Sequence, residues 1–298
     1  MTPLVTPPSP LAAWALATRP RTLVAGFIPV TVGSAVAMQQ GRFTLLPALG
    51  ALAGALLIQI GTNLFNDAYD FKRGADTGER LGPPRATQQG WLSPAAVMRG
   101  AIACFALAFL VGLSLVAVAG WPLLVVGVVS LIAGYAYTGG PFPLAYHGLG
   151  DVFVLVFFGL VAVSGTTYVL TQTVPPLALL SGVPVGALGV ALLAVNNVRD
   201  ARTDAAANKR TLVVRLGVGF GRAEYVAMLL IAAAMPIGLA ATGLASPWVL
   251  AAVPALLFAI APMRILMKES GPALNQALAG TARLMLIYGL LFSVGVAL

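Results

Sequence analysis

Two polar segments stand out in an otherwise apolar sequence, because each repeats amides and carboxylates at intervals of three or four residues. Side chains at that spacing lie on one face of an α-helix. We therefore predict two helix faces that each present an amide followed by carboxylates. The first stripe consists of Asn63, Asp67 and Asp70, with Asn66 beside them, and the second stripe consists of Asn196, Asp200 and Asp204.

These two stripes have the composition of a magnesium site. Like charges on one helix face destabilise the helix by a few tenths of a kcal/mol per pair, and a bound cation offsets that cost. Mg²⁺ takes one or two carboxylates and completes its shell with water and phosphate oxygens. The chain has one His and one Cys, which argues against zinc, haem and iron–sulfur sites.

Basic residues close to both stripes indicate what the metal would carry. Lys72 and Arg73 follow the first stripe, and Lys209 and Arg210 follow the second. These cations would repel a lone metal ion but suit an anion bound to it, so a diphosphate is the expected ligand. The alternative is that all these charges are solvated beside lipid headgroups, with the cations binding anionic lipid. That alternative explains the Lys and Arg residues but not the two registered stripes.

The rest of the sequence predicts membrane-spanning helices. The chain has 298 residues, of which 59% are hydrophobic and 9% charged, whereas a soluble domain carries about a quarter charged residues. A span needs about 20 apolar residues. We predict an all-α integral membrane protein, a single polytopic domain over 1–298, with about nine transmembrane helices bundled around a central cavity. The predicted helices are 22–40, 44–66, 97–119, 122–138, 151–172, 177–197, 223–243, 247–265 and 277–297.

The distribution of Lys and Arg predicts the topology, since these residues favour cytoplasmic loops. With nine crossings, only Arg42 of the 17 basic residues falls on the opposite side from the others. The N-terminus and active site are thus predicted to be cytoplasmic, in the cell (inner) membrane. Residues 1–20 are expected to form a tail with a partly amphipathic segment, and 70–96 and 198–222 to form active-site loops. This pattern accounts for the net charge of +8 without nucleic acid.

Two further features of the sequence, a single cysteine and the composition of its start, exclude specific structures. Cys104 is the single cysteine and lies inside a predicted span, so an intramolecular disulfide is excluded. The start of the chain has no basic region ahead of a short apolar core, so no removable signal sequence is expected.

Four ordered segments resemble the UbiA-type intramembrane aromatic prenyltransferases, and most closely the 1,4-dihydroxy-2-naphthoate polyprenyltransferases of menaquinone synthesis. The segments are Arg19–Leu23, Asn63–Gly90, Tyr135–Gly159 and Asn196–Gly217. Asn66 and Asp70 match the first family motif, and its third acid is displaced to Asp76, as in the naphthoate branch. In the second motif Asp200 and Asp204 match, but Asn208 replaces the glycine expected before Lys209.

The resemblance implies Mg²⁺-dependent transfer of a polyprenyl group from polyprenyl diphosphate to 1,4-dihydroxy-2-naphthoate. Pyrophosphate and CO₂ would be released and demethylmenaquinol formed within the lipid bilayer. Alternatives are another acceptor (homogentisate or hydroxybenzoate), a phytyl donor, or a transporter. Transporters bury charges near the midplane on broken helices, whereas the centres of these predicted spans are uncharged.

On this reading each site residue has an expected role. The expected metal ligands are Asn63, Asn66, Asp67, Asp70, Asp76, Asn196, Asp200 and Asp204. The expected substrate-binding residues are Arg21, Lys72, Arg73, Arg85, Lys209, Arg210 and Tyr146. The expected catalytic residues are Asp70, Asp204, Tyr137 and Asp151, although Asp151 also suits a helix N-cap. Candidate aromatic neighbours of the allylic cation are Phe65, Tyr69, Phe157, Phe158 and Tyr168. His147 is expected to be a loop residue and not a catalyst.

Overall fold

A computed structural model describes residues 8–74 and 81–298, and all regular secondary structure in those ranges is helical. The prediction of an all-α protein is therefore confirmed. The helices are α1 Pro10–Ala17, α2 Val24–Gln39, α3 Leu45–Lys72, α4 Pro94–Ala119, α5 Trp121–Ala136, α6 Gly150–Thr171, α7 Pro176–Ala206, α8 Leu212–Leu216, α9 Val218–Ala241, α10 Pro247–Lys268 and α11 Gly271–Ala297. Short 3₁₀ turns lie at Pro20–Thr22 and Leu144–His147.

Seven of these helices are long and apolar enough to cross a membrane, and α1 and α2 together give an eighth candidate that is bent by 54°. The shorter α5 has 16 residues and corresponds to the remaining predicted span. At the end of the bundle away from the aspartates, Arg42 donates to the Thr171 carbonyl at 3.0 Å and Gln172 to the Val118 carbonyl at 3.0 Å. Three connections thus meet at the end where the topology predicts them.

Apolar side chains cover the outside of the bundle as well as its interior. Leu46 is 81% exposed and Leu257 68% exposed, as expected of surfaces that contact lipid. Inside, α7 packs closely on α6 at glycines. A Cβ atom on Gly182 would lie 2.8 Å from the Gly159 carbonyl oxygen, so this approach of two backbones requires glycine.

Helix α6 contains a π-helical stretch, Leu155–Val161, between two α-helical parts. The wider turn adds a residue relative to the regular helix. This stretch includes Gly159, which contacts α7, and Phe157 and Phe158, which face the interior cavities described below.

Both aspartate stripes lie on helices, but these helices end later than predicted. Helix α3 continues to Lys72 and α7 to Ala206, so the predicted loops begin several residues further on. Each helix is followed by a left-handed residue, Gly74 with φ 71° and Asn208 with φ 55°. Asparagine tolerates this conformation better than most residues, which explains how Asn208 replaces a glycine.

Two other expectations concern the chain before α2 and after α3. Helix α1 has no charged residue and exposes Leu11 and Leu16 while burying Ala13 and Ala17. It is therefore apolar on all sides, and the prediction of an amphipathic segment was wrong. The predicted ligand Asp76 lies outside the described residues.

Candidate active site

The two stripes face each other across one polar cavity of about 590 Å³. Helix α3 contributes its whole stripe and α7 contributes its whole stripe to the wall. The turn before α2, the start of α6 and the segments after α3 and α7 complete the cavity. Spacing along the sequence predicts the two faces, and the fold brings them together.

Each oxygen of the Asp70 carboxylate pairs with a side chain from another segment. Arg85 Nη1 lies 2.8 Å from Asp70 Oδ2, and the same nitrogen donates to the Asn66 carbonyl at 2.8 Å. The Tyr146 hydroxyl donates to Asp70 Oδ1 at 2.8 Å. Burial and the charge of Asp70 raise the pKa of Tyr146, so this phenol stays protonated and remains a donor.

The other members of the first stripe hold neighbouring segments against α3. The Thr87 hydroxyl donates to Asp67 Oδ1, and the Thr138 hydroxyl donates to Asn66 Oδ1 at 2.6 Å. Asn63 Nδ2 donates to the Thr18 carbonyl at 2.9 Å. These bonds connect α3 to the segment after residue 81, to the end of α5 and to the chain before α2.

In the second stripe Asp200 and Asp204 differ in their partners. Arg199 forms a bidentate pair with Asp200, with distances of 2.8 and 2.6 Å. Lys209 Nζ lies 3.3 Å from Asp204 Oδ1, whereas Asp204 Oδ2 is buried with no hydrogen-bond partner. Burial alone would lower the pKa of Lys209, but the charges of Asp204 and Asp70 outweigh it and raise that pKa.

The donors in this cavity suit Mg²⁺. Its described lining residues offer carboxylate and amide oxygens without His or Cys, and Asp204 Oδ2 still lacks a partner. No three acidic, His or Cys side chains in residues 8–74 and 81–298 form a metal cluster by themselves. A metal here would therefore need oxygens from its substrate, as Mg²⁺ commonly does.

The described lining residues also balance in charge, with five aspartates and five basic residues. The basic residues are Arg19, Arg21, Arg85, Arg199 and Lys209. A metal alone or a diphosphate alone would upset this balance, whereas a metal–diphosphate pair largely preserves it.

A second cavity, of about 210 Å³, adjoins the first and is apolar. Helices α2 to α6 line it, and several glycines widen it, among them Gly54, Gly112 and Gly127. Six of the described residues line both cavities and mark the boundary between them. They are Ala25, Gln59, Thr62, Tyr137, Val154 and Phe158.

Comparison with known proteins identifies the family. The sequence matches the UbiA prenyltransferase family over residues 26–290. The chain belongs to this family. It is 39% identical to the 1,4-dihydroxy-2-naphthoate octaprenyltransferase of Escherichia coli, over 95% of this chain and 94% of that protein. It is 35% identical to the protein of the same name from Bacillus subtilis, over 95% of this chain and 91% of that protein.

Solved structures of UbiA homologues have the same fold. The homologue from Archaeoglobus fulgidus bound to GPP and Mg²⁺ has a TM-score of 0.65 at 16% identity, covering 94% of this chain and 99% of that chain. The homologue from Aeropyrum pernix K1 has a TM-score of 0.69 at 17% identity, covering 91% of this chain and 97% of that chain. The family and the membrane-bundle fold predicted from the sequence are thus confirmed.

Within this UbiA fold, most predicted site residues in the described ranges reach the polar cavity. They are Arg21, Asn63, Asn66, Asp67, Asp70, Arg85, Tyr137, Asp151, Asn196, Asp200, Asp204 and Lys209. For Asp151, the N-cap alternative is not supported, because the N-cap of α6 is Leu149 and Asp151 Oδ1 is buried with no hydrogen-bond partner.

Other predicted residues lie elsewhere. Lys72 is exposed at the end of α3 and lines neither cavity. Arg73 donates to the Thr138 and Gly140 carbonyls and, like Arg210, lines a separate outer pocket. Tyr146 also lines that pocket and reaches the site only through its hydroxyl.

The predicted aromatic residues divide into two groups. Phe157 and Phe158 line the apolar cavity, whereas Phe65 and Tyr69 pack with Tyr135 outside it. Tyr168 lines neither cavity. His147 stacks on Phe142 with ring centroids 3.7 Å apart, and it lies in the 3₁₀ turn between α5 and α6, as expected for a loop residue.

Five residues of the site are absent from the sequence-based assignment. They are Arg19, Gln59, Thr87, Arg199 and Asn275. Arg199 had a signal, because it directly precedes Asp200. Asn275 had none, since it lies on the last helix and connects Arg199 to Leu81, with both hydrogen bonds at 2.9 Å.

Proposed function

We propose that this protein transfers a polyprenyl group from polyprenyl diphosphate to 1,4-dihydroxy-2-naphthoate in a Mg²⁺-dependent reaction, releasing pyrophosphate and CO₂. The observation that carries the proposal is the direct junction of a charge-balanced polar cavity with an apolar one. A prenyl diphosphate has the same division, with a charged head joined to an apolar tail. The names of the bacterial relatives support the aromatic acceptor.

The diphosphate end would be held in the polar cavity. Arg19, Arg21 and Lys209 line it and supply donors to phosphate oxygens. The two stripes would hold Mg²⁺ through their carboxylate and amide oxygens. When bound, Mg²⁺ supplies neutralisation of the charge that develops on departing pyrophosphate.

The prenyl tail would occupy the apolar cavity, which also has access to lipid. Its wall includes Phe109 and Leu113 on α4 and Leu124 on α5, and all three side chains are exposed. These residues support a lateral opening between the cavity and the bilayer. A long tail can then extend into lipid while its first units remain inside.

The reacting carbon of the donor connects the diphosphate to the prenyl chain, so it would lie at the boundary of the two cavities. The ring carbon that bears the carboxylate forms a bond to this donor carbon as the bond from the donor carbon to the diphosphate oxygen breaks, and the electron pair of the broken bond leaves with pyrophosphate. CO₂ then departs, and its bonding pair restores the aromatic ring. No strong base is required, because CO₂ leaves in place of a proton.

The chain's own residues would orient the acceptor and exclude water. Tyr137 can donate a hydrogen bond at the boundary, and Asp151 Oδ1 is a buried acceptor with no partner of its own. Phe158 presents an apolar aromatic surface at the same boundary. This surface would stabilise an allylic cation by a cation–π interaction and exclude the water that would hydrolyse it. The active site would face the cytoplasm, as the basic loops predict.

The test is acceptor-dependent pyrophosphate release by the purified full chain with octaprenyl diphosphate, 1,4-dihydroxy-2-naphthoate and Mg²⁺. We expect a product whose mass shows loss of the carboxylate. Release with homogentisate or 4-hydroxybenzoate but not with naphthoate would refute the acceptor. Solute flux through proteoliposomes without any turnover would refute the enzyme class.

Substitutions test the assigned carboxylates. Asp70→Asn and Asp204→Asn should each reduce turnover below detection, because each removes a charge that the metal–diphosphate pair requires. Glu269→Gln is the matched control, since Glu269 is exposed and lines neither cavity, and it should retain wild-type activity. Asp70→Asn also removes the negative charge that pairs with Arg85 Nη1, so a size-exclusion profile must establish folding. Full activity in a folded variant would remove that residue from the site.

A further inference from the structure

Gln59 is a buried polar residue in the apolar half of α3 for which packing gives no reason. It is 7% exposed, and its Oε1 atom has no hydrogen-bond partner. An unsatisfied buried carbonyl costs about 1–3 kcal/mol, so a glutamine here calls for an explanation. Gln59 lines both the polar and the apolar cavity.

The orientation of the Gln59 amide follows from its neighbours. Thr22 has one hydroxyl hydrogen, and it is donated to the Arg19 carbonyl at 3.0 Å. Thr22 Oγ1 can therefore only accept hydrogen bonds from the side-chain amides near it. It accepts one from Asn63 Nδ2 at 3.0 Å and one from Gln59 Nε2 at 3.5 Å. Because the nitrogen of Gln59 is directed to Thr22, its oxygen is left as the unpaired atom.

The position of this oxygen matches a specific part of the reaction. Reacting atoms must approach to about 3–3.5 Å, so the acceptor ring has to reach the boundary of the two cavities, where the reacting carbon of the donor lies. Of the six described boundary residues, three have polar side chains: Gln59, Thr62 and Tyr137. Of these, Gln59 is the one with a buried acceptor atom that lacks a partner.

We propose that Gln59 Oε1 accepts a hydrogen bond from a ring hydroxyl of the aromatic acceptor and thereby positions the ring for attack. The inference rests on the proposed function and adds a specificity-determining residue to it. A carbonyl oxygen recognises a hydroxyl donor and not the acceptor's carboxylate, which itself only accepts. Gln59 therefore selects for free hydroxyl groups on the ring.

The direct test is Gln59→Met, which keeps the length of the side chain and removes the hydrogen bond. We expect kcat/KM for the acceptor to fall about 3- to 10-fold, the equivalent of one net hydrogen bond, while KM for octaprenyl diphosphate stays unchanged. Gln276→Met is the matched control, because Gln276 is exposed and lines neither cavity. It should behave as wild type.

A structural role for Gln59 would lower activity with every acceptor alike, so acceptor analogues separate the two explanations. The two monomethyl ethers of 1,4-dihydroxy-2-naphthoate each lack one hydroxyl donor. The wild type should discriminate against one ether, and Gln59→Met should lose that discrimination. Equal discrimination in both proteins would overturn the proposal, as would a matching loss of donor hydrolysis in the absence of acceptor.

Two further measurements keep the outcome decisive. If Gln59→Met fails to fold, Thr22→Val can be used instead, because it removes the hydroxyl that orients the Gln59 amide. This variant should discriminate less between the two monomethyl ethers. Unchanged discrimination would refute the argument for the orientation of the amide. The Kd for naphthoate with Mg²⁺ and pyrophosphate provides a readout without turnover. A wild type that binds naphthoate without turning it over would refute the proposed function, and the Kd of Gln59→Met would still decide the role of Gln59.

Discussion

Leucine in place of Gly127 should shorten the prenyl chain that the enzyme accepts. Gly127 lies on α5 and lines the apolar cavity, and a Cβ atom built on it meets no other atom within 4 Å. A leucine side chain there has room to enter the cavity without disturbing the helix. It is ten residues before Tyr137, or about 15 Å along the helix axis from the boundary of the two cavities.

The size of the effect follows from overpacking. A chain that reaches Gly127 would meet the new side chain at a cost of about 1–3 kcal/mol. This is roughly a 5- to 150-fold loss in kcat/KM. A geranyl donor is too short to reach that depth and should be unaffected. The hydrophobic term itself changes little, because a displaced tail moves into lipid and not into water.

The assay is a competition between geranyl and octaprenyl diphosphate at fixed naphthoate, with both products counted by mass spectrometry. Gly127→Leu should raise the geranyl share. Gly238→Leu is the control, since Gly238 is equally unobstructed but lies on α9 away from both cavities. If Gly127→Leu gives the wild-type product ratio, the apolar cavity does not hold the prenyl chain.

Two predictions concern structure and not chemistry. Asn275→Leu removes the bridge between Arg199 and Leu81, so hydrogen exchange in residues 81–93 should accelerate about five-fold, which corresponds to a loss of roughly 1 kcal/mol. The control Gln276→Leu should leave the exchange rate unchanged. Equal exchange rates in the two variants would show that the bridge does not hold the segment. Gly182→Ala forces a Cβ atom against the Gly159 backbone and should lower Tm in detergent, by the cost of about 1–3 kcal/mol that overpacking brings. Gly219→Ala, where a Cβ atom meets nothing within 4 Å, should not do so, and an unchanged Tm in Gly182→Ala would contradict the close approach.

The helices were predictable because hydropathy depends on composition alone. Runs of about 20 apolar residues and the period of an α-helix are local properties, so the spans and both stripes follow from the sequence. The extension of α3 to Lys72 was not evident, because the acidic residues that form the site resemble a loop in composition. Gly74 gave the better signal for the end of α3, since a left-handed glycine commonly follows a helix.

Contacts between segments that are distant in the sequence were not predictable, because they depend on the conformations of the segments that connect the helices. Arg85 was expected at the diphosphate, and it does line the polar cavity, but its pairing with Asp70 was not evident from the sequence. Arg73 was expected there too, yet it holds two backbone carbonyls next to α5. Gln59 stands in an uncharged run that indicates only a span, and nothing local reveals that two cavities meet beside it.

The equal numbers of acidic and basic residues among the described residues around the polar cavity have a consequence for the catalytic cycle. Moving an unpaired charge into a low-dielectric region costs several kcal/mol. Because the described wall has equal numbers of formal positive and negative charges, the proposed metal–diphosphate pair would enter, and metal–pyrophosphate would leave, with little net charge transferred in either step. Between turnovers the described wall would need no replacement counterion, so other salts should compete only weakly with the substrate. Substrate loading should therefore depend on complementary shape and local pairing more than on bulk ionic strength.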